Sequence, residues 1–175
     1  HEKQCEAHCI LAKKNSAISI GSLEMFIADF AHEYGLNPVP PSTGKRGKVA
    51  VIGSGPAGLT VAGDLAKMDF AVTIFEGQPE PGGVLLFGIP EFRLEKEVVR
   101  REINILRKLG VEIVTEKLIG PDMTVDDLFA QGYDAIFMGT GTALPRTLDI
   151  PGQELSGILT ATYFLKVVVL ADSGK

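Results

Sequence analysis

Seven residues in the first half of the chain have the types and spacing to hold a dinucleotide. Gly53-Ser54-Gly55-Pro56-Ala57-Gly58 fits G-x-G-x-x-G between an apolar run and a helical pattern, and Glu76 stands 18 positions past Gly58. In such a turn the first glycine permits the sharp exit from a strand. The second lets the backbone close on a pyrophosphate, and the third lets the helix approach the strand. Free N–H groups at the helix start then face the phosphates, and the helix dipole adds to the attraction. Pro56 suits the first helical position, where its missing N–H has no use. A carboxylate at Glu76 can accept both hydroxyls of an adenosine ribose and would repel a 2′-phosphate. The chemistry implied is binding of an unphosphorylated ADP moiety, that of FAD or NAD. A glycine-rich turn also occurs in plain α/β proteins; the strand, helix and carboxylate around this one make it specific.

Those residues need a strand–turn–helix–strand frame, and the surrounding pattern supplies it. Lys48–Ile52 reads as a buried strand, 56–67 as a helix and Ala71–Phe75 as a second strand. A helix over 95–109 follows, with Val99, Ile103 and Leu106 on its inner face and Gly110 as its stop. Strands are predicted over 111–115 and 134–139, separated by a short helix over 124–132 that opens with Thr124 and Asp127 at capping-box spacing. Strands alternating with helices imply a parallel sheet covered on its faces. Upstream, Leu23, Phe26, Ile27, Phe30, Ala31 and Tyr34 form one apolar stripe, predicting a helix over 22–34 with Ser22 as N-cap and Gly35 just past its end. The Pro- and Gly-rich stretch 37–48 reads as a linker. The class is therefore α/β: a Rossmann-like parallel sheet over 46–175, preceded by a short helical segment over 1–45.

The segment 77–94, "GQPEPGGVLLFGIPEFRL", is far longer than the usual βα connection of about 2–6 residues. Its Gly82-Gly83 pair can bring backbone against a ligand, Gly88-Ile89-Pro90 can turn beside a flat ring, and Arg93 offers a fork of donors. A wide isoalloxazine needs such a platform, whereas NAD in a simple dehydrogenase does not, so FAD is the expected ligand of this βαβ unit. Cys5 and Cys9 stand as C-x-x-x-C, a spacing compatible with a disulfide, with two ligands of a metal or iron–sulfur centre, or with surface thiols. The three histidines form no set, no Ser-His-Asp or Cys-His arrangement is present, and Asp126-Asp127 read as first-turn charges. No side chain is assigned as a catalytic acid, base or nucleophile.

Composition excludes several classes. A net charge of −5, without a stripe of Lys and Arg, argues against nucleic acid or an anionic membrane as partner. No apolar run nears the roughly 20 residues that span a bilayer. The first residues lack the apolar core of a signal peptide, so nothing suggests secretion and a cytoplasmic location is expected. The chain starts at His1 and stops at "VVVLADSGK", and is expected to be a piece of a longer protein.

In "VIGSGPAGLTVAGDLA", "GGVLLFGIPEFRL" and "GYDAIFMGTGTALPRTLDIPGQELSGI" the chain resembles the flavin domain of the glutamate synthase small subunit. Related units occur in NADH-dependent ferredoxin:NADP oxidoreductase and in the amino-terminal part of dihydropyrimidine dehydrogenase. The likeness runs over essentially the whole chain, and "GGVLLFGIPEFRL" is its most specific stretch. It implies FAD contacts at Gly53, Ser54, Gly55, Pro56 and Ala57, from Glu76, Gly77 and Gln78 through Gly83 and Val84, and at Arg93 and Ile119. It also implies that the Gly139-Thr140-Gly141 turn lies near the cofactor. Read from the residues alone, Ile119 and Thr140 are ordinary core or turn. The resemblance further makes Cys5 and Cys9 part of a 4Fe–4S ligand set, with Glu24 as an oxygen ligand and a third cysteine upstream of His1. Without the resemblance, Glu24 is a solvated first-turn acid. The chain by itself is expected to assemble no intact cluster.

What the resemblance implies is electron transfer: NAD(P)H as donor on a domain absent from this chain, FAD here, and iron–sulfur clusters beyond. The final acceptor would be a glutamate synthase large subunit or a ferredoxin. Thr162-Tyr163 depart from the family's usual Asn-Glu, and "VVVL" is more β-branched than a helix favours. Two other readings compete, a simple NAD-dependent dehydrogenase and a non-catalytic nucleotide-binding module whose 22–34 helix docks a partner. The long 77–94 segment stands against the first.

Overall fold

The computed structural model of the chain describes residues 3–36, 40–142 and 148–172. It divides into two compact units, His1–Val39 and Pro40–Lys175.

The first unit holds α1 (Gln4–Ala7), a 3₁₀ turn over Ile10–Lys13 and α2 (Ile20–Glu33). The apolar stripe makes α2 as its spacing predicts, but the helix starts earlier than Ser22. Ile20 extends the stripe by one step of three, and Ser19 takes the N-cap position without a side-chain bond. Glu24 consequently lies beyond the first turn. At the other end the Leu36 and Gly35 N–H groups donate to the carbonyls of Ala31 and His32, closing the helix as a glycine-ended cap does.

In the second unit β1 (Lys48–Ile52), α3 (Pro56–Lys67) and β2 (Ala71–Phe75) fall where the pattern puts them. The chain continues through α4 (Val84–Phe87), α5 (Lys96–Lys108), β3 (Glu112–Val114), α6 (Val125–Ala130), β4 (Ala135–Met138) and α7 (Ala161–Asp172). The four strands form one parallel sheet in the order β3-β2-β1-β4, with Lys48 opposite Ala71 and Val49 opposite Ala135. Period-two alternation sorts the strand residues into two cores. Val51, Val72 and Ile74 pack with Ala62 and Ala66 of α3 and with Leu109, while Ala50, Ile52 and Phe75 pack with Leu128 of α6 and Tyr133. Both faces of the sheet are covered, as near-continuous apolar strands require.

Four features differ from the pattern. The 77–94 segment is not wholly irregular, because "VLLF" forms the single turn of α4. The outer strands β3 and β4 are shorter than predicted at both ends. The "VVVL" run is helical within α7, which lies beside α4; the β-branched preference is too weak to exclude a helix. Residues 40–45 are not free linker: Ser42 N–H donates to the Leu109 carbonyl, its hydroxyl donates to the Phe70 carbonyl, and Thr43 bonds the Asp69 carboxylate. Residues 37–39 of the expected linker, and His1, lie outside the described residues. Among the described residues no helix is long and apolar enough to cross a membrane.

Candidate functional site

The glycine turn joins β1 to α3. Gly55 is the N-cap of this 12-residue helix, Pro56 occupies its first turn, and no side chain caps the end. The first backbone N–H groups of a helix have no partner within it, so this end offers donors and the positive pole of the dipole.

Three of the surrounding glycines are required by contact. Gly53 has φ +95°, and a Cβ there would sit 2.4 Å from the Gly139 carbonyl oxygen. A Cβ on Gly58 would lie 1.9 Å from the Gly53 carbonyl oxygen. Gly83 has φ +52°, and its Cβ would lie 2.8 Å from the Gly55 Cα. Gly55 is the opposite case: a Cβ there meets nothing within 4 Å. The turn is thus closely packed at Gly53, Gly58 and Gly83, while open space is left where a Gly55 side chain would point. Such space at a helix start can admit a phosphate-bearing ligand.

Glu76 lies at the end of β2 and is 8% exposed. Its Oε2 accepts from the Ser54 N–H at 3.0 Å and from the Ser54 hydroxyl, and its Oε1 accepts from the Gln78 N–H at 2.8 Å. The Ser54 oxygen in turn accepts from the Gly82 N–H at 2.9 Å. A carboxylate has about four acceptor positions, so three protein donors leave about one position on Glu76 free. Accepting both hydroxyls of a ribose would need two. The physical reason is Ser54, which is fully buried and spends its hydroxyl on the carboxylate.

The remaining residues of the expected set are placed as follows. Gly77 follows Glu76, with a built Cβ 3.1 Å from Leu118, and Gln78 supplies the amide already noted. Val84 is exposed at the start of α4, and Arg93 is exposed beyond it. Gly139 lies against the turn, 3.4 Å from the Ile52 carbonyl oxygen as measured from a built Cβ, and Thr140 and Gly141 are exposed next to it. Ile119 packs against the Ala50–Ile52–Phe75 core and pairs with Met123, a position with a structural role of its own.

Lys96 is a residue the pattern does not single out. It is 6% exposed, and its Nζ donates to the Leu85 carbonyl at 3.0 Å and to the Ile89 carbonyl. Burial holds its ammonium below the usual lysine range, with Glu91 opposing the shift and Arg100 adding to it. One signal could have found it. Lys96 precedes Val99, Ile103 and Leu106 at intervals of three, seven and ten, on the buried stripe of α5.

In the first unit a shallow pocket is lined by Gln4, Cys5, Ile20, Gly21, Glu24 and Met25. Cys5 and Glu24 therefore share one concavity. Cys9 is elsewhere bonded: backbone N–H groups of Ile18 and Leu11 hold its thiol below the usual cysteine range. Among the described residues no three His, Cys, Asp or Glu side chains are grouped closely enough to hold a metal ion.

Comparison with known proteins bears on both units. The family model for pyridine nucleotide-disulphide oxidoreductases matches residues 47–170, and that for dihydropyrimidine dehydrogenase domain II, 4Fe-4S cluster, matches residues 1–36. The glutamate synthase [NADPH] small chain of Escherichia coli is 38% identical over 94% of this chain and 35% of its own length. That of Bacillus subtilis is 40% identical over 92% of this chain and 33% of its own. The putative oxidoreductase UacF of Escherichia coli is 40% identical over 94% of this chain and 26% of its own. The chain thus spans about a third or less of the length of these relatives. Among solved structures, Mycobacterium tuberculosis FprA in complex with NADPH superposes with a TM-score of 0.61 at 25% identity, over 69% of this chain and 28% of that one.

Proposed function

We infer a function from one premise: the chain belongs to the pyridine nucleotide-disulphide oxidoreductase family. The proposal is that it is the FAD-binding part of an NAD(P)H-dependent oxidoreductase of the glutamate synthase small-chain kind. In the whole protein, electrons from NAD(P)H would pass through FAD to iron–sulfur centres, and from there to a large subunit or a ferredoxin-like acceptor. The observation that carries the reading is the open space at Gly55, in a glycine turn otherwise closely packed, at the uncapped start of α3.

When bound, FAD supplies the redox chemistry, taking electrons in pairs and giving them up singly. The chain's own residues bind and orient. The α3 amides face the pyrophosphate in this proposal, and the free acceptor position of Glu76 takes a ribose hydroxyl. Gly83 and Val84 then border the path of the chain toward the ring. Cys5, Cys9 and Glu24 are proposed to belong to a cluster that needs further ligands.

Titration of the purified chain with FAD, followed by flavin absorbance and fluorescence, tests the reading. Saturable 1:1 binding is expected. Glu76→Gln should weaken it by about 1–3 kcal/mol, the scale of a hydrogen bond to a charged group plus an amide donor left facing another donor. No saturable binding by the unaltered chain would overturn the proposal.

A further inference from the structure

We propose that Lys96 is a positioning residue that fixes the 84–90 segment, and with it the seat for the half of FAD beyond the pyrophosphate. The inference rests on the FAD reading above. Lys96 opens a helix whose other charged side chains are exposed, apart from the half-buried Arg101, yet its own ammonium is buried. It bonds two main-chain carbonyls, Leu85 within α4 and Ile89 just past it. The last carbonyls of a helix lack partners within it; in α4 the Val84 carbonyl accepts from the Gly88 and Ile89 N–H groups, and the Leu85 carbonyl accepts from Lys96. Two of the three ammonium donors close this end. The Lys96 backbone N–H is itself held by the Glu91 carboxylate, at 3.2 and 3.3 Å. The residue is therefore anchored by main chain and side chain at once.

A buried cation is costly where an apolar side chain could sit, so its retention needs a reason. Gly83, immediately before α4, supplies one. Its backbone abuts Gly55 so closely that a Cβ would come within 2.8 Å, and any drift of α4 moves Gly83 and Val84 relative to the glycine turn. The adenosine side is held by Glu76 and Ser54, and the Gly82 N–H ties Ser54 to the start of this segment. Lys96 bonds the segment farther along, at Leu85 and Ile89, so it should matter chiefly for the ring-bearing half of the ligand and much less for the ADP half.

Equilibrium titration with FAD and with ADP, on the unaltered chain and on Lys96→Met, separates the two halves. FAD affinity should fall about tenfold or more, the scale of hydrogen bonds to a charged group, while ADP affinity stays within about twofold. General loss of structure would not change the ratio of the two affinities. Should the Met variant fail to fold, Lys96→Gln, shorter and neutral but still a donor, carries the same measurement. Equal losses for both ligands, or no loss for FAD, overturn the proposal while leaving the FAD reading intact. Failure of the unaltered chain to bind FAD overturns both.

Discussion

At the scale of single residues, the glycines around the turn separate binding from folding. Gly55 has φ −70° and open space where a Cβ would go, so Gly55→Ala should leave the fold intact. It should even gain roughly 0.4–1 kcal/mol from a stiffer unfolded chain, while its methyl group occupies the proposed phosphate space and weakens FAD binding. Gly83→Ala should lower both, since φ +52° strains an L-residue and the Cβ would press on the Gly55 Cα at 2.8 Å. Melting curves alongside FAD titrations check the pair; Gly55→Ala with unchanged FAD affinity would remove the phosphate assignment. The motif glycines and Glu76 were legible because each answers a constraint that sequence spacing encodes. Lys96 was not, because lysine at the start of a charged helix reads as solvated, and only its interval to Val99 and Ile103 hints otherwise. Nor does the sequence reveal that Ser54 occupies two acceptor positions of Glu76, since that bond joins residues 22 positions apart.

At the scale of elements, local signals decided where the pattern could be trusted. β1 and β2 match their predicted bounds because buried apolar runs end sharply at turn residues. α2 was misplaced at its start because Ser22 is a better capping type than the chain needs, and the apolar stripe continues through Ile20. In α7 the β-branched run misleads, since propensity is worth only tenths of a kcal/mol per residue. The start of α6 was fully legible. Thr124 and Asp127 form the predicted reciprocal box, the Thr124 hydroxyl accepting from the Asp127 N–H and the Asp127 carboxylate from the Thr124 N–H. The Thr124 amide and hydroxyl hold the Asp127 carboxyl below its usual value of 3.8. A carboxyl depressed in the folded state contributes stability above its unfolded value, and that contribution is lost as pH falls through the lower folded value. The melting temperature of the unaltered chain should therefore exceed that of Asp127→Asn at neutral pH. The gap should close below pH 3.8 and stay constant above it. A gap independent of pH would mean that the carboxylate does not stabilise this helix.

At the scale of the whole molecule, the proposed division near residue 45 can be set against the bonds that residues 40–45 make. A Pro- and Gly-rich stretch looks like linker because composition reports what a segment avoids, not what it touches. Here Ser42 satisfies the Leu109 carbonyl at the end of α5 and, through its hydroxyl, the Phe70 carbonyl before β2, each at 2.8 Å. Thr43 bonds Asp69, whose φ of +69° is itself an uncommon conformation for a side-chain-bearing residue. These contacts sit at the ends of β2, α3 and α5 opposite the glycine turn, so they bear on stability without touching the ligand. Two deletions distinguish the boundaries. Removing residues 1–39 should leave FAD affinity within about twofold, because the described side-chain bonds at the turn join residues of the second unit. Removing residues 1–45 should leave the turn equally intact but lower stability by roughly 1–3 kcal/mol, for the two Ser42 bonds at about 0.5–1.5 kcal/mol each. Equal melting temperatures for the two deletions would show that residues 40–45 are linker after all. Loss of FAD binding on the shorter deletion would show that the amino-terminal unit contributes to the nucleotide site.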